Sequence, residues 1–348
     1  MSTHKAALLH SAGSPLVVED RATPKPGPKD LLISVSAIAL NPVDCYQRAM
    51  GLFLTTYPAI LGSDIAGTIE AVGSSVPGPF KVGGRVLAFA SAFYRRGEAN
   101  ANDYSSYQAK VLVQYEAACT IPDSLSFIDA ATLPMGVGTA WSGWHIIGLN
   151  TTTHFNPADK KGVVVWGAAS SVGVCAVQSA KAMGFTVYAT ASAKNFDYVK
   201  SIGAKEVFDY KDADVVSKLL AAAKKDDVKL NTIYRAAGDR GGSDVQPLLD
   251  IVSASGGGSI ASAVGPLLEN TPQAKGVDLK FVINPSDADA RDKQYKATFQ
   301  GWLAPRLLSG EFIPGPKARI VGKGLESLNK GLDELMGGVS LEKLVVEV

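Results

Sequence analysis

Cysteine and histidine are scarce in this chain, with three cysteines (Cys45, Cys119, Cys175) and four histidines among 348 residues. Cysteines so few and so widely separated make neither a disulfide framework nor a C-x-x-C metal knuckle, and a reducing compartment follows. The histidines, His4, His10, His145 and His154, show no ligand-type spacing, so surface or packing roles are expected for them. Charge of one sign is also missing. The 34 basic and 33 acidic residues leave a net charge of +1, and no basic run stands ready for nucleic acid. No stretch of about 18 apolar residues occurs, and the opening MSTHKAALLHSAG has neither a long apolar core nor a cleavage-type site. The expectation is therefore a cytoplasmic protein with no nucleic-acid partner and no membrane partner. Repeats and low-complexity segments are absent too.

What is present is a globular composition, 46% apolar and 19% charged, long enough for two domains. The chain is organised around residues 161–184, KGVVVWGAASSVGVCAVQSAKAMG. The run Val163, Val164, Val165 reads as a strand buried on both faces. Small residues follow, then Gly173, while Val174, Ala176, Val177, Ala180 and Met183 recur at helical spacing. A strand that turns into a helix through a bend of small residues lets backbone approach a ligand, and the helix start aims free N–H groups at it. A pyrophosphate is the natural occupant. The next strand, 185–190, ends in Thr190, Ala191, Ser192, Ala193, Lys194 and Asn195, with no acid before Asp197. A carboxylate there would hold a ribose 2′-hydroxyl and repel a 2′-phosphate, so a hydroxyl and an ammonium favour NADP(H) over NAD(H).

In chain order, residues 1 to about 125 hold short strand-like segments at 5–10, 31–37, 65–72, 85–90, 105–113 and 118–121, separated by Pro/Gly clusters. A helical stretch follows at 125–133, is interrupted by Pro134 and resumes at 138–147. Then strands at 163–166, 185–190, 206–208, 230–235, 258–262 and 279–283 alternate with helices at 171–183, 195–201, 212–224 and 243–251. Such alternation predicts a parallel, doubly wound sheet. The tail offers a helix at 291–308, a Gly/Pro-rich turn at 309–318, a helix at 324–337 and a last strand at 343–348. Having no strand–helix–strand unit of its own, it is expected to fold back on the N-terminal part. The last strand of the sheet, 278–283, either pairs with a second subunit or stays covered.

Seven words in this order, N-P-V-D at 41–44, G-S-D-x-A-G at 62–67, G-G-R-V at 83–86, A-A-T-L-P with G-T-A-W at 130–141, A-A-S-S-V-G at 168–173, G-A-K-E-V-F-D-Y at 203–210 and S-L-E-K-L-V at 340–345, resemble the medium-chain dehydrogenase/reductase superfamily along essentially the whole chain. The nearest likeness is to its zinc-free quinone and enoyl reductase branch. The string S-A-K-N-F-D at 192–197 is similar to fungal trans-acting enoyl reductases that serve polyketide synthases. The resemblance implies an α/β fold with a GroES-like β-rich catalytic domain at 1–126, a Rossmann domain with a doubly wound parallel sheet at 127–285, and a return at 286–348.

It also implies roles. Val43, Asp44, Cys45 and Tyr46 would lie beside the nicotinamide. Thr139 would hydrogen-bond near the nicotinamide or the substrate carbonyl, with Thr132, Leu133, Pro134, Met135, Gly136, Val137 and Gly138 lining the acceptor pocket. Ala169, Ser170, Ser171 and Val172 would cradle the pyrophosphate, while Ser192, Ala193, Lys194, Asn195 and Tyr210 surround the 2′-phosphate and adenosine. Val339 and Ser340 would close over the cofactor.

Zinc-using relatives need a cysteine, a histidine and a further ligand. Cys45 could stand for the first, but Gly62, Ser63 and Asp64 replace the G-H-E word, so no metal site is expected and Cys45 is read as lining the pocket. Enoyl-thioester reductases of this branch carry a tyrosine in a G-x-Y word, where this chain has Gly51, Leu52 and Phe53. Tyr46 is the nearest phenol left, and either it or a bound water would protonate the enolate. Asp44 is either a cap or a participant. Asp64 reads as a buried anchor, and Trp141 with Trp144 as core. The activity implied is NADPH-dependent hydride transfer to the C=C bond of an enone or a carrier-bound enoyl chain. A quinone oxidoreductase and a non-catalytic NADPH-binding regulator are the rivals. Pocket shape would come from Phe53, Phe93, Tyr94 and the stretch 264–288.

Overall fold

The computed structural model describes residues 2–265 and 271–348; residues 266–270, part of the stretch expected to shape the pocket, lie outside them. Two compact units emerge: Met1–Met135 with Asp292–Val348, and Gly136–Arg291. The chain passes between them inside helices at both junctions.

The first unit is built on antiparallel β-structure. Its strands are β1 (Thr3–Leu9), β2 (Val17–Ala22), β3 (Asp30–Ala39), β4 (Ala59–Ile60), β5 (Asp64–Val72), β6 (Arg85–Phe89), β7 (Lys110–Gln114) and β8 (Ala118–Thr120). Between β3 and β4 runs α1 (Pro42–Met50), and after β8 comes α2 (Phe127–Ala131); α3 (Pro134–Ile146) begins in this unit and carries the chain into the second. The long strand β3 is central: it pairs with β5 over most of its length and with β7 at one end. Its Leu31, Ile33, Ala37, Ile38 and Ala39 are fully buried, which explains why a near-continuous apolar run survives in an antiparallel sheet.

The second unit alternates strand and helix as expected: β9 (Gly162–Trp166), α4 (Ser171–Ala182), β10 (Thr186–Ala191), α5 (Phe196–Ser201), β11 (Glu206–Asp209), α6 (Val215–Lys225), β12 (Thr232–Arg235), α7 (Val245–Ala254), β13 (Gly258–Ser262) and β14 (Val277–Phe281). Among the described residues the strand order is β11-β10-β9-β12-β13-β14, with every pairing parallel. Val163, Val164 and Val165 of the inner strand β9 are 0% exposed, because helices cover both faces of such a sheet. Val164, Tyr188, Leu219, Leu248 and Ile260 form one continuous apolar cluster. Trp141 and Trp144 are core residues, the latter donating its indole N–H to Ser179 Oγ at 2.7 Å. β14 stands at the edge of the sheet.

The remainder returns to the first unit. α8 (Ala288–Lys296) continues through a wider turn at Ala297–Leu303 into α9 (Ala304–Ser309), and then come β15 (Lys317–Lys323), α10 (Leu328–Met336) and β16 (Glu342–Glu347). β16 is inserted between β15 and β3, extending the main sheet of the first unit. Four elements escaped the sequence pattern, the two-residue β4 among them. β15 starts at the end of the segment expected as a turn, 309–318, and runs on through residues for which no element was expected. β2 has an exposed, charged face. No helix was expected at α1, where Asn41-Pro42 left turn and helix start equally open, and proline in the first turn of a helix costs no hydrogen bond. The strand expected at 105–113 starts only at Lys110.

Candidate active site

In the second unit the bend after β9 is held from three sides. Gly167 has φ of 78°, and a Cβ there would lie 2.8 Å from the Ala237 carbonyl oxygen, so only glycine fits. Ser170 caps α4: its Oγ accepts the Gly173 N–H at 3.0 Å and donates to the Gly167 carbonyl at 2.8 Å. A Cβ on Gly173 would meet the Gly167 oxygen at 2.4 Å and Ala168 Cα at 2.7 Å, so the helix start sits directly on the bend. Thr190 of β10, fully buried, ties the bend to the neighbouring strand by accepting the Gly167 and Ala168 amides on its Oγ1 and carbonyl oxygen, at 3.1 and 2.9 Å. Ala169, Ser170, Ser171 and Val172 stay partly exposed, and the first amides of α4 have no carbonyl four residues back to bind. The result is a helix start whose free amides face a bend of small residues, the geometry that suits an anion.

The end of β10 supplies the second half of that surface. Ser192 Oγ lies 3.5 Å from Tyr210 Oη, and Ala193 and Lys194 are exposed. Lys194 has no carboxylate partner among the described residues. Asn195 is buried. In the same unit Gly136 brings α3 onto the start of α4, since a Cβ there would lie 3.1 Å from the Ser171 oxygen. Val137 and Gly138 are buried beside it. Thr139 is partly exposed, its carbonyl accepts the Tyr234 hydroxyl at 2.7 Å, and its own hydroxyl has no partner among the described residues.

The first unit carries the other candidates on a buried charge network. Asp44, at the third position of α1, is 0% exposed. Its Oδ2 accepts the Asn41 amide at 2.8 Å, which closes the helix start, and the Tyr107 hydroxyl at 2.9 Å. Its Oδ1 is buried with no hydrogen-bond partner. Asp64, at the start of β5 and likewise 0% exposed, accepts Asn41 Nδ2 at 2.9 Å, pairs with Lys343 Nζ at 3.0 Å, and takes the Met135 amide at the head of α3 at 2.6 Å. Lys343, on β16 and 4% exposed, also donates to Asn41 Oδ1 at 2.5 Å. One network thus pins the starts of α1 and α3. Burial pushes the Asp44 carboxyl up to about 7, Asp64 adding to the rise, while the Asn41 amide, the Tyr107 hydroxyl and Lys343 pull it down. The Tyr107 phenol is raised well above its usual range, first by burial and then by Asp44.

Val43 and Tyr46 are half-buried on α1, and Tyr46 is the candidate proton donor's place in the fold. Cys45 is 2% exposed, and its thiol donates to the Leu332 carbonyl at 3.5 Å. Burial and the neighbouring Asp44 push that thiol up to about 12. Thr132 spends its hydroxyl on the Asp129 carbonyl at 2.7 Å. Leu133 and Pro134 are buried, Met135 partly so. Val339 and Ser340 are exposed in the connection between α10 and β16. Among the described residues no three His, Cys, Asp or Glu side chains form a group that could hold a metal ion, and no helix is long and apolar enough to cross a membrane.

Lys343 and Tyr107 were not singled out from the sequence. Lys343 had a signal of its own, a charged residue inside the apolar strand K-L-V-V whose neighbours Leu344, Val345 and Val346 are 0% exposed.

A dinucleotide-type cradle on a parallel sheet, joined to an antiparallel β unit that takes back the tail of the chain, defines a two-part nicotinamide-binding oxidoreductase. Comparison with known proteins places it more closely. Residues 27–123 match the family described as alcohol dehydrogenase GroES-like domain, and residues 171–256 match zinc-binding dehydrogenase. The chain is 44% identical to the trans-enoyl reductase tndF of Aspergillus flavipes, over 99% of this chain and 98% of that protein. It is 48% identical to the trans-enoyl reductase tazE of Aspergillus terreus, over 77% of this chain and 90% of that one. Among solved structures, an alcohol dehydrogenase superfamily protein from Novosphingobium aromaticivorans superposes with a TM-score of 0.79 at 22% identity, covering 99% of both chains. The CurK enoyl reductase does so with a TM-score of 0.73 at 19% identity, again over 99% of both. These two likenesses show the fold. The chain belongs to the medium-chain dehydrogenase/reductase superfamily and is an enzyme of its oxidoreductase type.

Proposed function

We propose that the protein is an NADPH-dependent reductase that transfers hydride to the C=C bond of an α,β-unsaturated carbonyl, either an enoyl thioester on the carrier of a polyketide synthase or a secondary-metabolite enone, without a metal. The observation that carries this reading is the identity of 44% across nearly the whole chain to a protein named trans-enoyl reductase. NADPH over NADH is supported by the acid-free end of β10, where Ser192, Tyr210 and Lys194, which has no carboxylate partner among the described residues, offer hydroxyls and an ammonium suited to a 2′-phosphate.

The bound nicotinamide supplies the hydride. The chain's own groups have three tasks: orienting the acceptor, receiving the charge that develops on its carbonyl oxygen, and delivering a proton to the α-carbon. The Thr139 hydroxyl, without a partner among the described residues, is a donor for that oxygen. Tyr46, or a water, is the proton source. The buried network holds the turns from which these helices start, so neither has to be organised at the moment of reaction. A metal-free reaction is supported by the donor set. Gly62, Ser63 and Asp64 stand where zinc-using relatives carry G-H-E, and both Asp64 oxygens are occupied by Lys343, Asn41 and Met135.

The test is NADPH oxidation against a panel of neutral enones, enoyl thioesters and quinones, in purified protein checked for zinc. Turnover of enones or enoyl thioesters without stoichiometric zinc is expected. Turnover of quinones alone would transfer the assignment to a quinone oxidoreductase.

A further inference from the structure

The first unit has a shallow recess, open to solvent, whose lining includes Gln47, Phe53, Ser63, Phe93, Arg96 and Asn102. It opens one residue beyond Tyr46 on α1, through Gln47.

Two features of its wall are unusual. Phe53 is held at φ of 65°, a left-handed conformation that a bulky residue avoids, and its ring is 42% exposed. It meets Phe93 edge-on with ring centroids 5.2 Å apart. Arg96 lies over both rings, its guanidinium carbon 4.1 Å from the Phe93 centroid and 5.5 Å from that of Phe53. Nε donates to the Phe93 carbonyl at 2.9 Å. The other guanidinium nitrogens have no carboxylate partner among the described residues, in contrast to the adjacent Arg95, which pairs with Glu98 at 2.9 Å. A guanidinium flattened on two aromatic rings keeps its outward N–H groups aligned and little hydrated, which suits it to an oxygen anion. The Gln47 amide and the Ser63 hydroxyl, without internal partners among the described residues, add neutral donors on the same wall.

We propose that this recess seats the part of the acceptor beyond its reacting bond, and that Arg96 selects acceptors carrying an anionic oxygen there. Phe53 and Phe93 offer ring surface to a planar, unsaturated chain. The proposal rests on the ene-reductase reading. The anionic oxygen has two chemical sources, a carboxylate borne by the acyl chain or the phosphate of a carrier's pantetheine arm.

The experiment compares the wild type with Arg96→Gln and Arg96→Lys on two matched pairs. One pair is an enone with a terminal carboxylate and its methyl ester; the other is an enoyl phosphopantetheine thioester and the N-acetylcysteamine thioester of the same acyl group. A charge-assisted contact corresponds to about a 10- to 100-fold change. Arg96→Gln is expected to raise KM by that factor for the charged member of one pair, with kcat and the neutral member unchanged, and Arg96→Lys to recover part of the loss. The pair that responds identifies the source of the charge. An equal effect on charged and neutral members, or none on either pair, overturns the proposal. Calorimetric binding of the charged and neutral members is run in parallel. Absence of all turnover with charge-selective binding would sink the reductase reading and leave the anion site standing.

Discussion

Replacing Lys343 with methionine removes the single cation from the network that also holds Asp44 and Asp64. The side chain is 4% exposed and its Nζ is 3.0 Å from an Asp64 oxygen that is itself fully buried. At that separation and an effective dielectric of about 20, the attraction is about 5 to 6 kcal/mol. Most of it offsets the cost of taking both charges out of water, but the variant keeps the carboxylate buried while losing its counter-charge. Breaking a buried pair from one side typically costs about 3 to 5 kcal/mol. Asp44 feels the same loss, because Lys343 is among the groups that hold its carboxyl down. The expected result is a loss of about that size for the transition of the first unit, followed by urea denaturation and calorimetry. Neutralising the partner as well, in Asp64→Asn with Lys343→Met, should recover more than half. A loss below about 1 kcal/mol, or a double variant no more stable than Lys343→Met, would refute the view that this pair is energetically coupled inside the fold.

Asp44 makes stability depend on pH in a particular direction. Its carboxyl is raised from 3.8 to about 7, so between those values the folded protein binds a proton the unfolded chain has lost. Stability from this residue is full at low pH and declines as pH rises to about 7, by on the order of 4 kcal/mol. Asp44→Asn lacks the titration, so its stability relative to wild type should climb between pH 5 and pH 8; a constant difference across that range would contradict the assignment. Gly173→Ala puts a methyl group on the backbone of Gly167 and Ala168, and the expected consequence is loss of dinucleotide binding by at least tenfold in calorimetry, with an unaltered first unit. Normal binding would mean that the start of α4 can back away from the bend. Ser192→Ala with Lys194→Ala should raise the NADPH dissociation constant by about 10- to 100-fold, a charge-assisted contact being worth about 1.5 to 3 kcal/mol, and leave NADH nearly unaffected. Equal effects on both cofactors would count against a 2′-phosphate at this place. Tyr46→Phe tests the proton source: kcat falling at saturating NADPH assigns the phenol a chemical role, and unchanged turnover leaves protonation to water.

Local pattern was enough for the second unit. Its inner strand is a short apolar run and the helix after it carries a 3.6-residue period, so β9, α4 and β10 could be placed from Val163, Gly173 and Thr190 without knowing what lies across the sheet. The cradle was legible for the same reason, since a strand, a bend of small residues and a helix start are contiguous in the chain. The first unit was less transparent. β15 and β2 are defined by their partners rather than by their own composition, and α1 begins at a proline that reads equally well as a turn.

The amino-acid sequence by itself determined the two-part architecture, the small-residue bend at Ala168 to Gly173 and the missing acid after β10, because each is carried by neighbours along the chain. Only the tertiary structure decided that Asn41, Asp44, Asp64, Tyr107 and Lys343 form one buried network. It also decided that Phe53, Phe93 and Arg96 share one wall. Lys343 is separated from Asp64 by most of the chain, and no periodicity links residues that meet solely because β16 is laid beside β3.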